Sequence, residues 1–265
     1  MRIQQIHNSR QALEALSFEE RRAYLADLRR KRVADYNATA APCTDDYDCP
    51  LCLNRTWFMT DDEALRPCSC QAIRRSLASL RDLGLLGAAK RLTFDRFRTD
   101  APWQKTLLER AQSFAVRETP GWLFIGGQSG CGKTHLCVAA AVTLLYQGHP
   151  LRYMRWMNDS VRLKALAMEP ERDRIMRAFI DAPVLYIDDL FKSAPTAADL
   201  HIAFELLDAR YCDEHKRTII SSERTLSDLL AIDEALAGRI LERCGDDYLL
   251  NIPRDASRNM RVSAV

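Results

Sequence analysis

The residues from Gly127 to Thr134, Gly-Gln-Ser-Gly-Cys-Gly-Lys-Thr, spell G-x-x-x-x-G-K-[ST], a spacing that suits a loop cradling phosphate. The glycines let successive backbone N–H groups turn toward one anion, and a helix starting at the loop's end adds the positive end of its dipole. In that arrangement Gly127, Gln128, Ser129, Gly130, Cys131 and Gly132 form the cradle, and His135 follows as the helix opens. Lys133 would neutralise the β- and γ-phosphates of ATP, and the Thr134 hydroxyl would ligate Mg²⁺. Further on, the apolar run Val184-Leu185-Tyr186-Ile187 ends in Asp188 and Asp189. Acids at such a strand end can hold Mg²⁺ and polarise an attacking water. Asp188 is the natural magnesium partner and Asp189 the candidate base; a helix-capping pair is the plainer alternative.

A second group of side chains could hold a metal. Cys49-Pro50-Leu51-Cys52 is followed, after fifteen residues, by Cys68-Ser69-Cys70. Two close pairs on a short loop match a structural zinc site, because tetrahedral Zn²⁺ takes four thiolates and each short spacer can build half of the cage. Cys49, Cys52, Cys68 and Cys70 are the expected ligands, with Cys43 able to replace one of them. The segment is too small and polar to fold on an apolar core alone, so the metal would supply much of its folding free energy. Cys131, Cys137, Cys212 and Cys244 are scattered through apolar patterns and read as small core residues.

These groups need elements to position them. Trp122-Leu123-Phe124-Ile125 before the glycine loop is an apolar run suited to a buried strand, and His135 to Ala141 after it is rich in helix formers. From residue 121 onward strands and helices alternate, as in a parallel α/β sheet. Strands are expected at 151–156, 184–189, 218–222 and 248–252, and helices at 159–168, 170–181, 199–216, 225–231 and 233–244. Upstream, residues 1–36 read as a charged helical segment. Ser17 with Glu20 makes a capping box, and Phe18, Leu25 and Leu28 share one face. Its basic end, Arg29-Arg30-Lys31-Arg32, is either a solvated face or a docking arm. Residues 71–83 and 103–116 are expected to be helical.

Composition sets the outer limits. The 265 residues, 47% hydrophobic and 28% charged, suit one large soluble domain and a small one. We place the division at residues 1–93 and 94–265. A net charge of +2 is too small to argue for a nucleic-acid partner by itself. No stretch reaches the length of a membrane span, and the N-terminus lacks a signal-peptide core, so a cytoplasmic chain with no membrane partner is expected. Nine cysteines in such a chain point to metal rather than disulfides.

The motifs taken together resemble AAA+ ATPases, and specifically the DnaC/DnaI-type replicative helicase loaders with their IstB-type relatives. The resemblance rests on Gly-Lys-Thr-His-Leu at 132–136, Ile-Asp-Asp-Leu at 187–190, Ala-Arg-Tyr at 209–211, Thr-Ile-Ile-Ser-Ser at 218–222, the stretch from Gly238 to Arg243, and Arg258-Asn259-Met260-Arg261. Phe94-Asp95-Arg96-Phe97 and the cysteine finger are also similar to loaders of the DnaI kind. It implies an AAA+ P-loop sheet with a truncated helical lid, preceded by a helical, zinc-binding, helicase-interaction region. It places Ser222 or Glu223 at the sensor-1 position, Arg239 and Arg243 at family arginines with Arg243 reaching a neighbouring subunit's nucleotide, and Arg261 at sensor 2. It further implies a replicative DNA helicase and single-stranded DNA as partners, ATP-dependent homo-oligomers, and slow hydrolysis because Asp189 stands where glutamate is usual. In the initiator branch a helix after the second strand meets single-stranded DNA. Here that region carries Trp156, Arg162, Lys164, Arg172, Arg174 and Arg177, which ordinary solvated charge explains as well.

Overall fold

Runs of apolar residues buried on both faces make the frame of this protein, and the polar stretches between them decide where each element stops. The computed structural model describes residues 17–260 except 44, 46, 83 and 84. The chain divides into two compact units between Arg74 and Arg75.

The first unit opens with α1 (Phe18–Ala38). The expected capping box is present: the Glu20 N–H donates to Ser17 Oγ at 3.3 Å, and the Ser17 N–H donates back to the Glu20 carboxylate at 2.9 Å. The Ser17 donors hold that carboxyl below its ordinary range. Val33 is the buried residue of the helix, whereas Phe18, Leu25 and Leu28 are exposed, Phe18 to 82%. A short hairpin that the sequence did not announce follows, β1 (Trp57–Met59) and β2 (Leu65–Pro67), with Phe58 opposite Arg66. Asn37 of α1 brackets it through the Met59 N–H and carbonyl, at 2.9 and 2.8 Å. The hairpin turns the chain back so that the second cysteine pair meets the first, and α2 (Cys70–Asp82) starts on the last cysteine.

The second unit takes in residues that the sequence division at 93/94 assigned to the first. Helix α3 (Leu86–Arg91) and the single turn Phe94–Arg96 pack on the helix that follows the glycine loop, so this stretch belongs with the nucleotide fold. After α4 (Pro102–Val116) come β3 (Trp122–Gly127), α5 (Lys133–Tyr146), β4 (Leu151–Arg155), α6 (Trp156–Ala165), α7 (Pro170–Ile180), β5 (Val184–Asp188), α8 (Ala197–Tyr211), β6 (Arg217–Ser222), α9 (Leu226–Ile232), α10 (Glu234–Tyr248) and β7 (Leu249–Ile252). The five strands are parallel in the order β4-β5-β6-β3-β7. All residues of β3 and β6 are buried, as expected of strands covered on both faces. Helix α8 is shorter than expected. Thr196 and Asp199 cap its start, and after Tyr211 the Asp213 carboxylate takes the His215 N–H instead of letting the helix continue. That ending leaves Cys212 exposed, against the core position expected for it.

One polar side chain lies at the centre of this packing. Arg210, on α8, is fully buried. Its guanidinium donates to the carbonyls of Phe179, Ile180 and Ala182 at the end of α7, to the Arg217 carbonyl of β6, and to Thr218 Oγ1, at 2.7 to 3.0 Å. Burial lowers its pKa to about 9, so it stays charged at neutral pH. The fixed planar fork serves five acceptors, with the two Nη1 hydrogens shared among three carbonyls. Arg210→Met should therefore cost about 4 kcal/mol, the scale of leaving several buried acceptors without donors. Thermal unfolding should show the midpoint down by on the order of 10 °C, with Arg210→Lys rescuing little because its point charge cannot follow the fork.

Candidate nucleotide-binding site and cysteine cluster

The glycine loop leaves β3 where that strand's end runs beside β7, with Gly127 opposite Ile252. Gly127, Gly130 and Gly132 all have positive φ, at 131°, 80° and 92°. A Cβ at Gly127 would collide with the Ile252 carbonyl, and one at Gly130 with the Asn259 side chain. The loop is held from outside by the stretch after β7. Gln128 and Asp255 exchange hydrogen bonds at 2.7 and 2.8 Å, and the Met260 N–H donates to the Gly130 carbonyl at 3.0 Å. Cys131 is buried, which raises its thiol pKa, and it donates to the Gln128 carbonyl at 2.9 Å. His135 bonds the Thr93 carbonyl at 2.8 Å and meets Phe97 edge-on.

The loop opens on a cleft of about 340 Å³. Its walls bring together Ser129, Gly130, Gly132, Lys133, Thr134 and His135 with Asp189, Lys192 and Glu223. Lys133 is buried, and its ammonium donates to the Gly127 and Gln128 carbonyls of the loop at 2.8 and 2.7 Å. The arrangement offers backbone donors, a helix N-terminus and a buried cation to one anion.

Asp188 stands at the strand end, behind the cleft wall. Tyr153 of β4 donates to one of its oxygens at 2.6 Å, and Tyr186 and Ser221 donate to the other, both at 2.7 Å. Burial, with the Asp188 charge beside them, raises both phenols well above their usual range, so they remain donors. A carboxylate accepts about four hydrogen bonds, so these three leave one acceptor position for a metal or a metal-bound water. With the Thr134 hydroxyl and phosphate oxygens, that donor set fits Mg²⁺, which keeps several waters and takes few protein ligands.

Past Asp188 the chain turns sharply. Asp189 and Phe191 both adopt left-handed backbone, at φ 58° and 51°. Such a conformation costs on the order of 1–2 kcal/mol for a residue with a Cβ. The turn is fixed by Ser221, whose hydroxyl accepts from the Asp189 N–H at 3.1 Å and whose carbonyl accepts from Leu190 at 2.9 Å. Phe191 is buried edge-on against Trp156. Asp189 faces the cleft and pairs with Lys192 at 2.6 Å. Ser222 does not face it: its buried hydroxyl donates to the Leu190 carbonyl at 2.7 Å. Of the two residues considered for sensor 1, the structure brings Glu223 to the wall.

Arg239 and Arg243, expected to act on phosphate, do not line this chain's own cleft. Arg239 is committed to Asp208 at 2.7 Å and lies over the Phe204 ring. Arg243 makes one long bond, 3.4 Å to the Asp213 carbonyl, and its Nε is buried with no partner among the described residues. Arg261 lies outside the described residues. Four of the basic residues after β4 are engaged as well, Arg162 with Glu171, Lys164 with Asp199, Arg172 with Glu205, and Arg174 with Glu171, whereas Arg177 is exposed. Trp156, expected as a stacking surface, is instead a core residue.

In the first unit, Cys49, Cys52, Cys68 and Cys70 are buried with their sulfurs all within 4.8 Å of one another. Cys49 and Cys68 are 3.8 Å apart, and Cys52 and Cys70 3.6 Å. Four sulfurs about 2.3 Å from a tetrahedral Zn²⁺ would be about 3.8 Å apart. The cluster therefore fits zinc. Asn54 accepts the Cys49 N–H at 2.9 Å and braces the knuckle. Cys43 is exposed, with its thiol turned to the Asp45 carbonyl rather than into the cluster.

The comparisons with known proteins agree with this geometry. Residues 69–258 match the model of the family described as IstB-like ATP binding protein. The phage-like element PBSX protein XkdC of Bacillus subtilis (strain 168) is 32% identical over 250 residues, covering 86% of this chain and 91% of that protein. An ATP-binding protein of insertion sequence IS21 from Pseudomonas aeruginosa is 28% identical over 54% of this chain and 59% of its own length. Among solved structures, DnaI is similar in fold, with a TM-score of 0.51 at 20% identity over 63% of this chain and 91% of that one. Family match, strand order and phosphate-loop geometry converge, and the chain belongs to the IstB-like ATP binding protein family as an AAA+ ATPase.

Proposed function

We propose that this ATPase is a helicase loader: it binds a replicative DNA helicase through its N-terminal unit and delivers it to single-stranded DNA under the control of ATP. The observation that carries the reading is the pairing of a nucleotide cleft with a separate unit that holds a four-cysteine cluster and an exposed apolar helix face. Such a unit has the makings of an interaction part rather than a chemical one. Because 86% of the chain aligns with XkdC, that likeness extends into the unit ending at Arg74. The IS21 relative, matched over 54% of the chain, favours a second reading, a transposition helper acting with a transposase.

In the ATPase site Lys133 and the loop N–H groups would bind the phosphates, Asp188 and Thr134 would hold Mg²⁺, and Asp189 would orient the attacking water. Bound magnesium would supply neutralisation of phosphate charge. Arg243, left with one weak bond in its own chain, serves a neighbouring subunit's phosphate in an ATP-dependent homo-oligomer. Lys133→Ala should weaken ATP binding at least tenfold. Asp189→Asn should keep binding and lose about a hundredfold in turnover, within the range for a removed general base. Arg243→Ala and Lys133→Ala proteins, each inactive alone, should regain turnover when mixed, as a steady-state ATPase assay would register. No recovery at any ratio removes the shared-site arrangement.

Zinc is the proposed occupant of the cysteine cluster. Metal analysis of reduced, freshly purified protein should return one zinc per chain. Cys43→Ser should retain it, whereas Cys49→Ser and Cys70→Ser should lose it and unfold the first unit.

The docking reading is tested on the full chain. Phe18→Glu combined with Leu25→Glu places charge on the exposed face of α1 and should reduce capture of the helicase of the same replicon about tenfold, the scale of losing apolar anchors. ATP turnover should be unaffected. Unchanged capture would take docking away from this face, and capture of a transposase with no helicase would establish the second reading.

A further inference from the structure

Lys192 belongs to no motif in the sequence, yet it lines the same cleft as Lys133 and Thr134. Its ammonium lies 2.6 Å from Asp189 Oδ2 and 3.9 Å from Glu223 Oε1, and its side chain is 46% exposed. Lys133 directs its protons to loop carbonyls, so among the described residues Lys192 is the cation paired with the cleft's two carboxylates. Two acids facing a triphosphate would repel it, and a cation paired with them changes that balance. Lysine suits such a role, because its head is a compact charge with three donors on a flexible stem.

The backbone that delivers Lys192 is built for the purpose. Asp189 and Phe191 hold left-handed conformations immediately before it. Ser221 fixes the front of the turn, Ser222 accepts the Arg224 N–H and donates to the Leu190 carbonyl, and Phe191 is anchored in the core. Strain held in place from several sides is characteristic of functional turns. The hydrogen bond from the Lys192 N–H to the Asp189 carbonyl, 3.2 Å, closes the turn and keeps the two side chains together.

We propose that Lys192 is a positioning residue of the ATPase site: it pairs with Asp189 as seen here and passes to the γ-phosphate when ATP enters, which releases the Asp189 carboxylate to the attacking water. No bond is made or broken in this exchange; one ion pair replaces another. The proposal rests on the assignment of Asp189 as the base. ADP lacks the group that draws Lys192 away, so the exchange distinguishes the two nucleotides.

The test compares the wild-type chain with Lys192→Met and Lys192→Arg. Calorimetric binding of Mg-ATP and Mg-ADP should show Lys192→Met weakening ATP about tenfold and leaving ADP unchanged. Its kcat should fall by about the same factor, while Lys192→Arg stays within about threefold of wild type in both. Equal thermal midpoints for the three proteins would separate this from a structural defect. ATP and ADP weakening in step, or neither changing, would overturn the proposal, as would an inactive Lys192→Arg of normal stability. If the wild-type protein itself turns over no ATP, the ATPase site fails and the proposal with it. If wild type and Lys192→Met turn over alike, the site stands and the role of Lys192 alone is lost.

Discussion

The carboxylate of Asp188 gathers the heads of three adjacent strands, and the acidic side of the cleft is built on that gathering. Tyr153 reaches it from β4, Tyr186 from its own strand and Ser221 from β6. A charged oxygen accepting from neutral hydroxyls makes stronger bonds than neutral pairs would. Ser221 is the shared member. The hydroxyl that donates to Asp188 also accepts the next residue's N–H, so the turn carrying Asp189 and Lys192 takes its direction from the strand end. On the other side of the cleft, β3 delivers the glycine loop from the neighbouring position in the sheet.

Much of this was legible in the sequence because its causes are local. The glycine loop and its flanks, the apolar runs, the capping box at Ser17 and the paired cysteines each depend on residues a few positions apart. What escaped depends on contacts across the chain. The β1–β2 hairpin has three-residue strands with exposed faces, too short to show an alternating pattern. Ser222 and Glu223 are adjacent and both polar; which one faces the cleft follows from the carbonyl of Leu190, to which the serine is bound. Lys192 has no signature at all, and its place is set by a strained turn anchored in the core.

The arginines show how far a family pattern can be carried without coordinates. Arg210, Arg239 and Arg243 all lie in stretches that resemble those of relatives, yet each guanidinium has a different situation. Arg210 is wholly consumed by buried carbonyls and reads as architecture. Arg239 is held by Asp208 and aromatic rings on α8. Arg243 alone of the three is under-bonded, with a buried Nε and one long contact. A pattern fixes where an arginine stands along a helix; burial and partners decide what its charge is free to do.

The stretch from Asp255 to Met260 touches the glycine loop at Gln128 and Gly130 through main-chain and side-chain hydrogen bonds. Loop and closing segment are therefore thermodynamically linked. A ligand that fixes the loop in its cradle shape also favours the docked form of this segment, and whatever secures the segment raises the loop's affinity for that ligand by the same factor. The segment follows directly on α10 and β7, so Arg243 lies one short helix end and one strand away from it along the backbone. Occupancy of the phosphate cradle and the disposition of the chain's last described residues are thus two readings of one equilibrium.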